Sequence, residues 1–102
     1  MIYVVATIDL SPGKREAFLT AQRELLPLVQ AEAGCVEYSP SIEIPLVDPA
    51  KTPPRPDCVI MHEKWETLPH LQAHLTAPHM KSFREKVKDL VAGVKVEVFQ
   101  ST

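Results

Sequence analysis

The sequence has few glycines, few aromatic residues and no asparagine. With three glycines in 102 residues, it has no glycine-rich phosphate loop and no dinucleotide-binding fingerprint. Neither a GxSxG nor a CxxC motif occurs, which argues against hydrolases with a nucleophile elbow and against thioredoxin-like redox proteins. The formal net charge of −2 provides no basic surface for nucleic acid. An enzyme built on this chain therefore has to work with a pocket, an acid or base, and the reactivity of its substrate.

The sequence also lacks a long hydrophobic run. No apolar stretch approaches the roughly 20 residues that span a bilayer, and the first residues lack the basic segment of a secretion signal. Hydrophobic residues make up 45% and charged residues 24% of the chain, as in ordinary globular proteins. We therefore expect no membrane partner, a cytoplasmic location, and a single domain over residues 1–102.

Hydrophobic periodicity predicts four strands, over residues 2–10, 35–44, 57–65 and 94–99, with a break in the second strand at Pro40. Two helical regions separate them. The order β-α-β-β-α-β is that of an α+β, ferredoxin-like fold, with a four-stranded antiparallel sheet and both helices on one face.

The first helix is predicted to begin with Ser11 as N-cap and Pro12 at the first helical position. It extends to about Glu32, with a kink or early stop at Pro27 and termination at Gly34. Its apolar face is expected to contain Phe18, Ala21, Leu25, Leu28 and Val29, with Gln22 on the solvent side.

The second helical region is predicted to begin at a Thr67 cap and to restart at Pro78. Its first part has an apolar stripe of leucines, with His70 and His74 off that stripe. Its second part has core spacing, and Gly93 ends it. The leucines of the stripe are Leu68, Leu71 and Leu75, and the core positions are Met80, Phe83, Val87, Leu90 and Val91.

Five prolines fall within residues 45–56, and this density predicts an extended loop inserted between the second and third strands. Cys35 and Cys58 lie near the starts of these two antiparallel strands. That places them over ~20 Å apart, too far for a disulfide, and we expect two free thiols.

The sheet face away from the helices is predicted to be apolar, because it displays Tyr3, Val5, Thr7, Cys58 and Ile60. Such a face is unfavourable in water. A second copy packed sheet against sheet about a two-fold axis covers it, so a homodimer with a barrel-like sandwich is predicted. The alternative is that the proline-rich loop folds over the face.

The hairpin of the second and third strands is predicted to place candidate site residues together. If Ile44 lies opposite Asp57, then Tyr38 lies opposite Glu63 and Val36 opposite Trp65.

On the helix-covered face, Tyr38, Glu63 and Trp65 look into the gap between sheet and helices, and His74 and His79 enter it from the second helical region. Each also has a structural interpretation: Trp65 as a core anchor, Glu63 as a partner of a backbone amide, His74 as a solvent-facing residue and His79 as a helix cap.

Four histidines raise the possibility of a metal site. His70 and His74 are four residues apart but lack the glutamate of HExxH, and no third ligand has suitable spacing. No metal is therefore expected.

Four segments resemble the antibiotic biosynthesis monooxygenase family of small dimeric α+β-barrel proteins. The departure from the family pattern is the long loop at residues 45–56, where relatives usually have a shorter connection. The segments are Ser11-Pro12-Gly13-Lys14, Glu32-Ala33-Gly34-Cys35-Val36-Glu37-Tyr38, Glu63-Lys64-Trp65, and Leu71, His74, Pro78, His79 and Phe83 in their spacing.

The resemblance implies oxidation by O2 of an electron-rich aromatic such as a quinol or polyphenol, without metal, flavin or haem. On this view His74 is the leading candidate base and Glu63 orients or assists it. Tyr38, Trp65 and Phe83 would line the substrate ring, and His79 would lie at the pocket mouth.

Other functions within this fold remain open. Haem-degrading relatives need an Asn-Trp-His set that this sequence lacks. Relatives that isomerise small phosphorylated signalling sugars would need a cationic phosphate contact, for which Arg84 or Lys81 is the local candidate. A non-catalytic dimeric barrel that binds a ligand or serves in stress response is a further alternative.

Overall fold

The computed structural model describes residues 1–48 and 50–102, and over these it contains four strands and three helices. The strands form one open antiparallel sheet in the order β2-β3-β1-β4. The α+β, ferredoxin-like prediction is confirmed, with the second helical region divided into two helices. The elements are β1 (Ile2–Leu10), α1 (Arg15–Gln30), β2 (Cys35–Ser41), β3 (Cys58–Trp65), α2 (Leu68–Leu75), α3 (Pro78–Val87) and β4 (Val91–Gln100).

The core lies between the helices and one face of the sheet. Strand side chains alternate between faces, and the even-numbered residues of β1 from Ile2 to Leu10 are all buried, as predicted. From α1, Phe18, Leu25 and Val29 pack into the same cluster. The central strand β1 is therefore fully covered on its helix side.

The predicted start and end of the first helix are wrong. Ser11 is not the N-cap: its carbonyl accepts a hydrogen bond from the Lys14 backbone N–H at 3.1 Å, in a turn where Gly13 has φ of 77°. The helix begins only at Arg15, continues through Pro27 and ends at Gln30. Pro27 is tolerated near the C-terminal end of this helix, where the chain is about to leave it.

Two residues of α1 have the opposite burial to the one predicted. Gln22 is 1% exposed, whereas Leu28 is 53% exposed. With about 100° per residue, Gln22 lies only about 40° around the helix from Phe18, but Leu28 lies about 80° away. The helix face that meets the sheet therefore includes the polar residue and omits the leucine.

The Thr67 cap of α2 is confirmed, since its hydroxyl accepts from the His70 backbone N–H at 3.3 Å. The predicted leucine stripe is wrong. Leu68 and Leu75 are each 47% exposed, and the buried residues of α2 are Leu71 and His74. The helix is rotated so that His74 faces the sheet beside Leu71, while Leu68 and Leu75 do not.

The pairing of β2 with β3 places Tyr38 opposite Glu63, as predicted. The second predicted pair is wrong, because a register shift between Cys35 and Glu37 puts Cys35, not Val36, opposite Trp65. The shift is a β-bulge, which a strand sequence does not reveal. In addition β2 ends at Ser41, before the predicted Ile44.

The last strand is longer than predicted and begins at Val91, where a helical continuation was expected. Gly93 lies within β4 opposite Asp9, and Val91 pairs with Leu10 after a register shift. The chain leaves α3 at Val87, so the helix ends well before the glycine.

The segment between β2 and β3 forms neither helix nor strand in its described residues. Glu43 and Arg55 hold its two ends together. The backbone N–H and the guanidinium of Arg55 donate hydrogen bonds to the Glu43 carboxylate at 2.7 to 3.2 Å. Leu46 is 97% exposed, so the loop does not bury its apolar residues on the sheet. Both cysteines are free, as predicted.

The sheet face away from the helices is partly open in the single chain. Tyr3 is 37% exposed, its neighbour Phe99 on β4 is 49% exposed, and Val5, Thr7 and Ile60 are half-buried. Cys58, expected on this open face, is buried.

Among the described helices, none has both the length and the apolar character needed to cross a membrane. The cytoplasmic location stays a prediction.

Replacing Gly34 with alanine is expected to destabilise the fold by about 1–3 kcal/mol. Gly34 has φ of 77°, and an added Cβ would overlap the imidazole of His70. Gly13→Ala is the matched control, because Gly13 has the same φ with open space around it. Urea unfolding of both variants measures the difference; equal losses at the two positions would contradict a steric role for His70.

Candidate active site

A cavity of about 400 Å³ lies between the inner face of the sheet and the three helices. Its walls are mainly apolar, with Val4, Ala6, Met61, Leu71, Met80 and Phe83 among them. It extends beside β4, where Val94, Val96 and Val98 line it but are about half exposed. Six polar or titratable residues also line this space: Gln22, Tyr38, Glu63, His74, Arg84 and Lys88. A space of this size and polarity is typical of a small-molecule site.

The carboxylate of Glu32 connects two histidines from different helices. Its Oε2 lies 2.9 Å from His74 Nδ1 and 2.8 Å from His79 Nε2. An ionised carboxylate only accepts hydrogen bonds, so both of these ring nitrogens carry hydrogen. In a neutral His74 imidazole, the other nitrogen, Nε2, is then left with its lone pair free.

Glu63 approaches His74 from the opposite side. Glu63 Oε1 accepts a hydrogen bond from Trp65 Nε1 at 3.0 Å and lies 3.9 Å from His74 Nε2, too far for a direct hydrogen bond. Burial raises the pKa of the Glu63 carboxyl, and the Glu32 charge adds to this, although Trp65 and His74 act in the other direction. Glu63 therefore holds its proton to a higher pH than an ordinary glutamate.

Two aromatic rings fix the plane of the His74 imidazole. The Tyr38 ring meets it edge-on with centroids 5.4 Å apart, and the Trp65 ring lies 4.7 Å away at an interplanar angle of 34°. His74 is 2% exposed. Burial raises the pKa of Tyr38 to about 12, so its hydroxyl keeps its proton at neutral pH.

The structure brings four of the six predicted site residues to the cavity: Tyr38, Glu63, His74 and Phe83. Phe83 also packs edge-on against Phe18, with centroids 5.7 Å apart. The other two lie behind the lining, contrary to expectation. Trp65 is fully buried and donates to Glu63, and His79 contacts Glu32 and is not among the lining residues.

Sequence reasoning assigned no role to two residues that the fold brings into the site. Glu32 belongs to the Glu32-Ala33-Gly34 segment after α1, but its contacts with His74 and His79 span 42 and 47 residues. Gln22 was placed on the solvent side. The sequence did contain a signal for its burial, because Gln22 lies only about 40° around the helix from the core residue Phe18.

The cluster of Glu32, His74 and His79 is held by hydrogen bonds. Within residues 1–48 and 50–102, no group of three or more histidine, cysteine, aspartate or glutamate side chains is arranged to hold a metal ion. The His74 imidazole and the Glu63 carboxyl group, which face an apolar space, are groups that can transfer protons.

Comparison with known proteins identifies the family. The profile of the family described as antibiotic biosynthesis monooxygenase matches residues 1–86. The chain is 35% identical over 102 residues to the "Probable quinol monooxygenase YgiN" of Escherichia coli K12, covering 98% of this chain and 97% of that protein.

Solved structures have the same fold. A conserved protein from Methanosarcina mazei Go1 superimposes with a TM-score of 0.83 at 20% identity, covering 99% of this chain and 92% of the other. A protein from Deinococcus radiodurans gives the same TM-score at 18% identity, covering 100% and 93%. The family match supports a monooxygenase-type function. The chain belongs to the antibiotic biosynthesis monooxygenase family.

Proposed function

We propose that this protein oxidises a quinol-type aromatic with O2, using His74 as the base that takes a proton from the substrate. The observation that carries the proposal is the buried His74 imidazole, which Glu32 holds with Nδ1 protonated at the wall of an apolar cavity. The name of the E. coli relative, a probable quinol monooxygenase, supports the substrate class.

The first step is proton transfer. A quinol hydroxyl placed near His74 Nε2 donates its proton to that nitrogen, which gives a quinolate anion and an imidazolium. The Glu32 carboxylate, 2.9 Å from Nδ1, stabilises the imidazolium charge as a charge-assisted partner. Glu32 and His79 thus act through His74 as positioning residues, because neither lines the cavity.

The second step is oxidation of the quinolate. The anion passes electrons to O2, one oxygen atom forms a bond to a ring carbon, and the other leaves as water. Quinol and O2 thus give a hydroxyquinone and water, with all four electrons supplied by the substrate. The reaction needs no bound cofactor, because the quinolate is itself the reductant. The protein's part is to hold both reactants in an apolar space away from bulk water.

Glu63 supports the first step from the other side of the substrate oxygen. In its protonated form it donates a hydrogen bond to the developing quinolate oxygen, and the raised pKa extends that form to higher pH than in an ordinary glutamate. Trp65 holds it in place through the 3.0 Å bond to Oε1. Trp65 therefore contributes to the proposed site by orienting Glu63, and Phe83 and Tyr38 provide the contacts to the ring.

Two other functions give different results in the same assay. A non-catalytic ligand-binding barrel shows no O2 uptake with any quinol. An isomerase of a phosphorylated sugar needs a cationic side chain to bind the phosphate. Arg84 lines the cavity, but its guanidinium donates to the Leu75 carbonyl at 2.8 Å. The mainly apolar walls favour an aromatic ring over a sugar phosphate, so quinol oxidation is the function we propose.

We also propose that two copies pack through the open sheet face. Tyr3 and Phe99 leave exposed aromatic surface there, and Leu46 and Val47 of the proline-rich loop are exposed rather than packed against it. Covering this surface removes apolar area from water, which favours association. The helices and the cavity lie on the opposite face, so both sites stay accessible in such a dimer.

His74→Ala is expected to lower kcat for quinol-dependent O2 uptake by about 10²–10⁴-fold, the usual contribution of a general base. His79→Ala is the matched control: it removes an imidazole from the same Glu32 oxygen but not from the cavity lining, and a much smaller loss is expected. Oxygen-electrode assays of both variants measure this. A His74→Ala variant with wild-type turnover would contradict the assignment.

Glu63→Gln is expected to stabilise the fold at pH 8 relative to wild type, with little difference at pH 4. Because the pKa of Glu63 is raised in the folded protein, its contribution to the free energy of unfolding is fully present at low pH. That contribution is lost as the pH rises above 4.5, the ordinary pKa of a glutamate, since the unfolded chain then ionises first. Glutamine still accepts from Trp65 Nε1 but never ionises. Urea unfolding across this range tests it, with the exposed Glu66→Gln as control; parallel pH profiles for wild type and Glu63→Gln would refute the raised pKa.

Ile60→Lys is expected to convert the protein from a dimer to a monomer, because the substitution places a charge in the open face. Leu46→Lys is the control, since Leu46 is 97% exposed on the loop and its substitution leaves the dimer intact. Light scattering coupled to size-exclusion chromatography measures the mass of each. A wild-type protein that is monomeric at micromolar concentration would rule out the proposed interface.

A further inference from the structure

Gln22 is the buried polar side chain that the proposed chemistry leaves unexplained. It is 1% exposed, lies on α1 and lines the cavity. Within residues 1–48 and 50–102, its Oε1 is the one buried side-chain oxygen or nitrogen that lacks a hydrogen-bonding partner. An unpaired buried acceptor is costly, so this carboxamide destabilises the unliganded fold.

The other end of the Gln22 carboxamide contacts Tyr38. Gln22 Nε2 donates to Tyr38 Oη at 3.4 Å, a long bond, and the Tyr38 oxygen therefore acts as acceptor in this pair. The Tyr38 hydroxyl hydrogen is then free to donate elsewhere. Side by side at the cavity wall, Gln22 Oε1 offers an acceptor and Tyr38 Oη–H offers a donor.

An acceptor and a donor next to each other match a group that both donates and accepts, and a hydroxyl is the one that a quinol carries. Tyr38 also links this pair to the proposed base. Its backbone is paired with Glu63, and its ring contacts the His74 imidazole at 5.4 Å between centroids. Two polar positions of the cavity thus lie next to the Tyr38 ring, one at Glu63 and His74 and the other at Gln22 and the Tyr38 hydroxyl.

We propose that Gln22 is a specificity-determining residue, and that its amide oxygen accepts a hydrogen bond from a second hydroxyl of the substrate while the first hydroxyl faces His74. This inference rests on the proposed function and names the residue by which the site distinguishes a quinol, which has two hydroxyls, from a simple phenol. A diol gives Gln22 Oε1 the partner that the unliganded fold lacks, whereas a phenol leaves it unpaired.

The test compares binding of 1,4-dihydroxynaphthalene and 1-naphthol by isothermal titration calorimetry under anaerobic conditions, where no turnover occurs. Wild type is expected to bind the diol about tenfold more tightly, which corresponds to about 1.4 kcal/mol, the size of one net hydrogen bond. In Gln22→Met, which keeps length and volume, the ratio of the two dissociation constants is expected to fall towards one. The fall comes mainly from weaker binding of the diol, whose second hydroxyl loses its acceptor.

A purely structural role of Gln22 predicts a different outcome. If Gln22→Met weakens both ligands equally, or leaves the diol preference intact, the inference is overturned. Tyr38→Phe provides a second variant that removes the donor but keeps Gln22, and it is expected to reduce the same ratio. A preserved ratio in Tyr38→Phe would count against the paired recognition of one hydroxyl.

The anaerobic binding ratio also separates this inference from the proposed function. If wild type prefers the diol through Gln22 but consumes no O2 with it, the oxidation proposal fails and the recognition of a second hydroxyl stands. If wild type oxidises the diol but Gln22→Met keeps the tenfold preference, the recognition fails and the oxidation stands.

Discussion

The candidate site depends on one carboxylate, Glu32, which accepts hydrogen bonds from His74 and His79. Glu32 follows the end of α1, while the two imidazoles come from α2 and α3, so this one group ties together all three helices above the sheet. It also determines which nitrogen of His74 carries hydrogen, because a carboxylate can only accept. Without it, the buried imidazole would have no fixed tautomer, and its free lone pair would have no defined direction.

The next constraint is the environment on the other side of His74. Glu63 is a buried acid whose pKa is raised by desolvation, whereas Glu32 lies at the edge of the helices and is 14% exposed at its side chain. Two carboxyl groups of the same chemistry thus contact one imidazole in different surroundings. Such a separation of environments is how folds assign different proton-transfer tasks to identical groups. Trp65 keeps the surroundings of Glu63 distinct from those of Glu32, because it donates a hydrogen bond to one Glu63 oxygen and packs against the His74 ring.

Much of this fold was predictable because its signals are local. The alternation of β1, the Thr67 cap and the proline-rich segment each depend on neighbouring residues, and the Tyr38–Glu63 pair follows from the hairpin register. The bulge at Cys35 and the rotation of α2 were not predictable, since they reflect packing between distant elements. The site followed the same division: Tyr38 on β2 and Glu63 on β3 line the cavity as predicted, but Glu32 was missed because its partners are more than 40 residues away.

The errors in the helices point to the function of the cavity. Both α1 and α2 turn a polar side chain towards the sheet, Gln22 and His74, and leave leucines exposed at Leu28, Leu68 and Leu75. A helix optimised only for the core would do the reverse, because burying a leucine stabilises and burying an amide or imidazole costs free energy. The same exchange in two helices, at residues that line one cavity, is the pattern of a fold that sacrifices stability for a binding site. Periodicity failed at these positions because both helices turn a polar side chain towards the cavity, and hydrophobic spacing alone cannot indicate this.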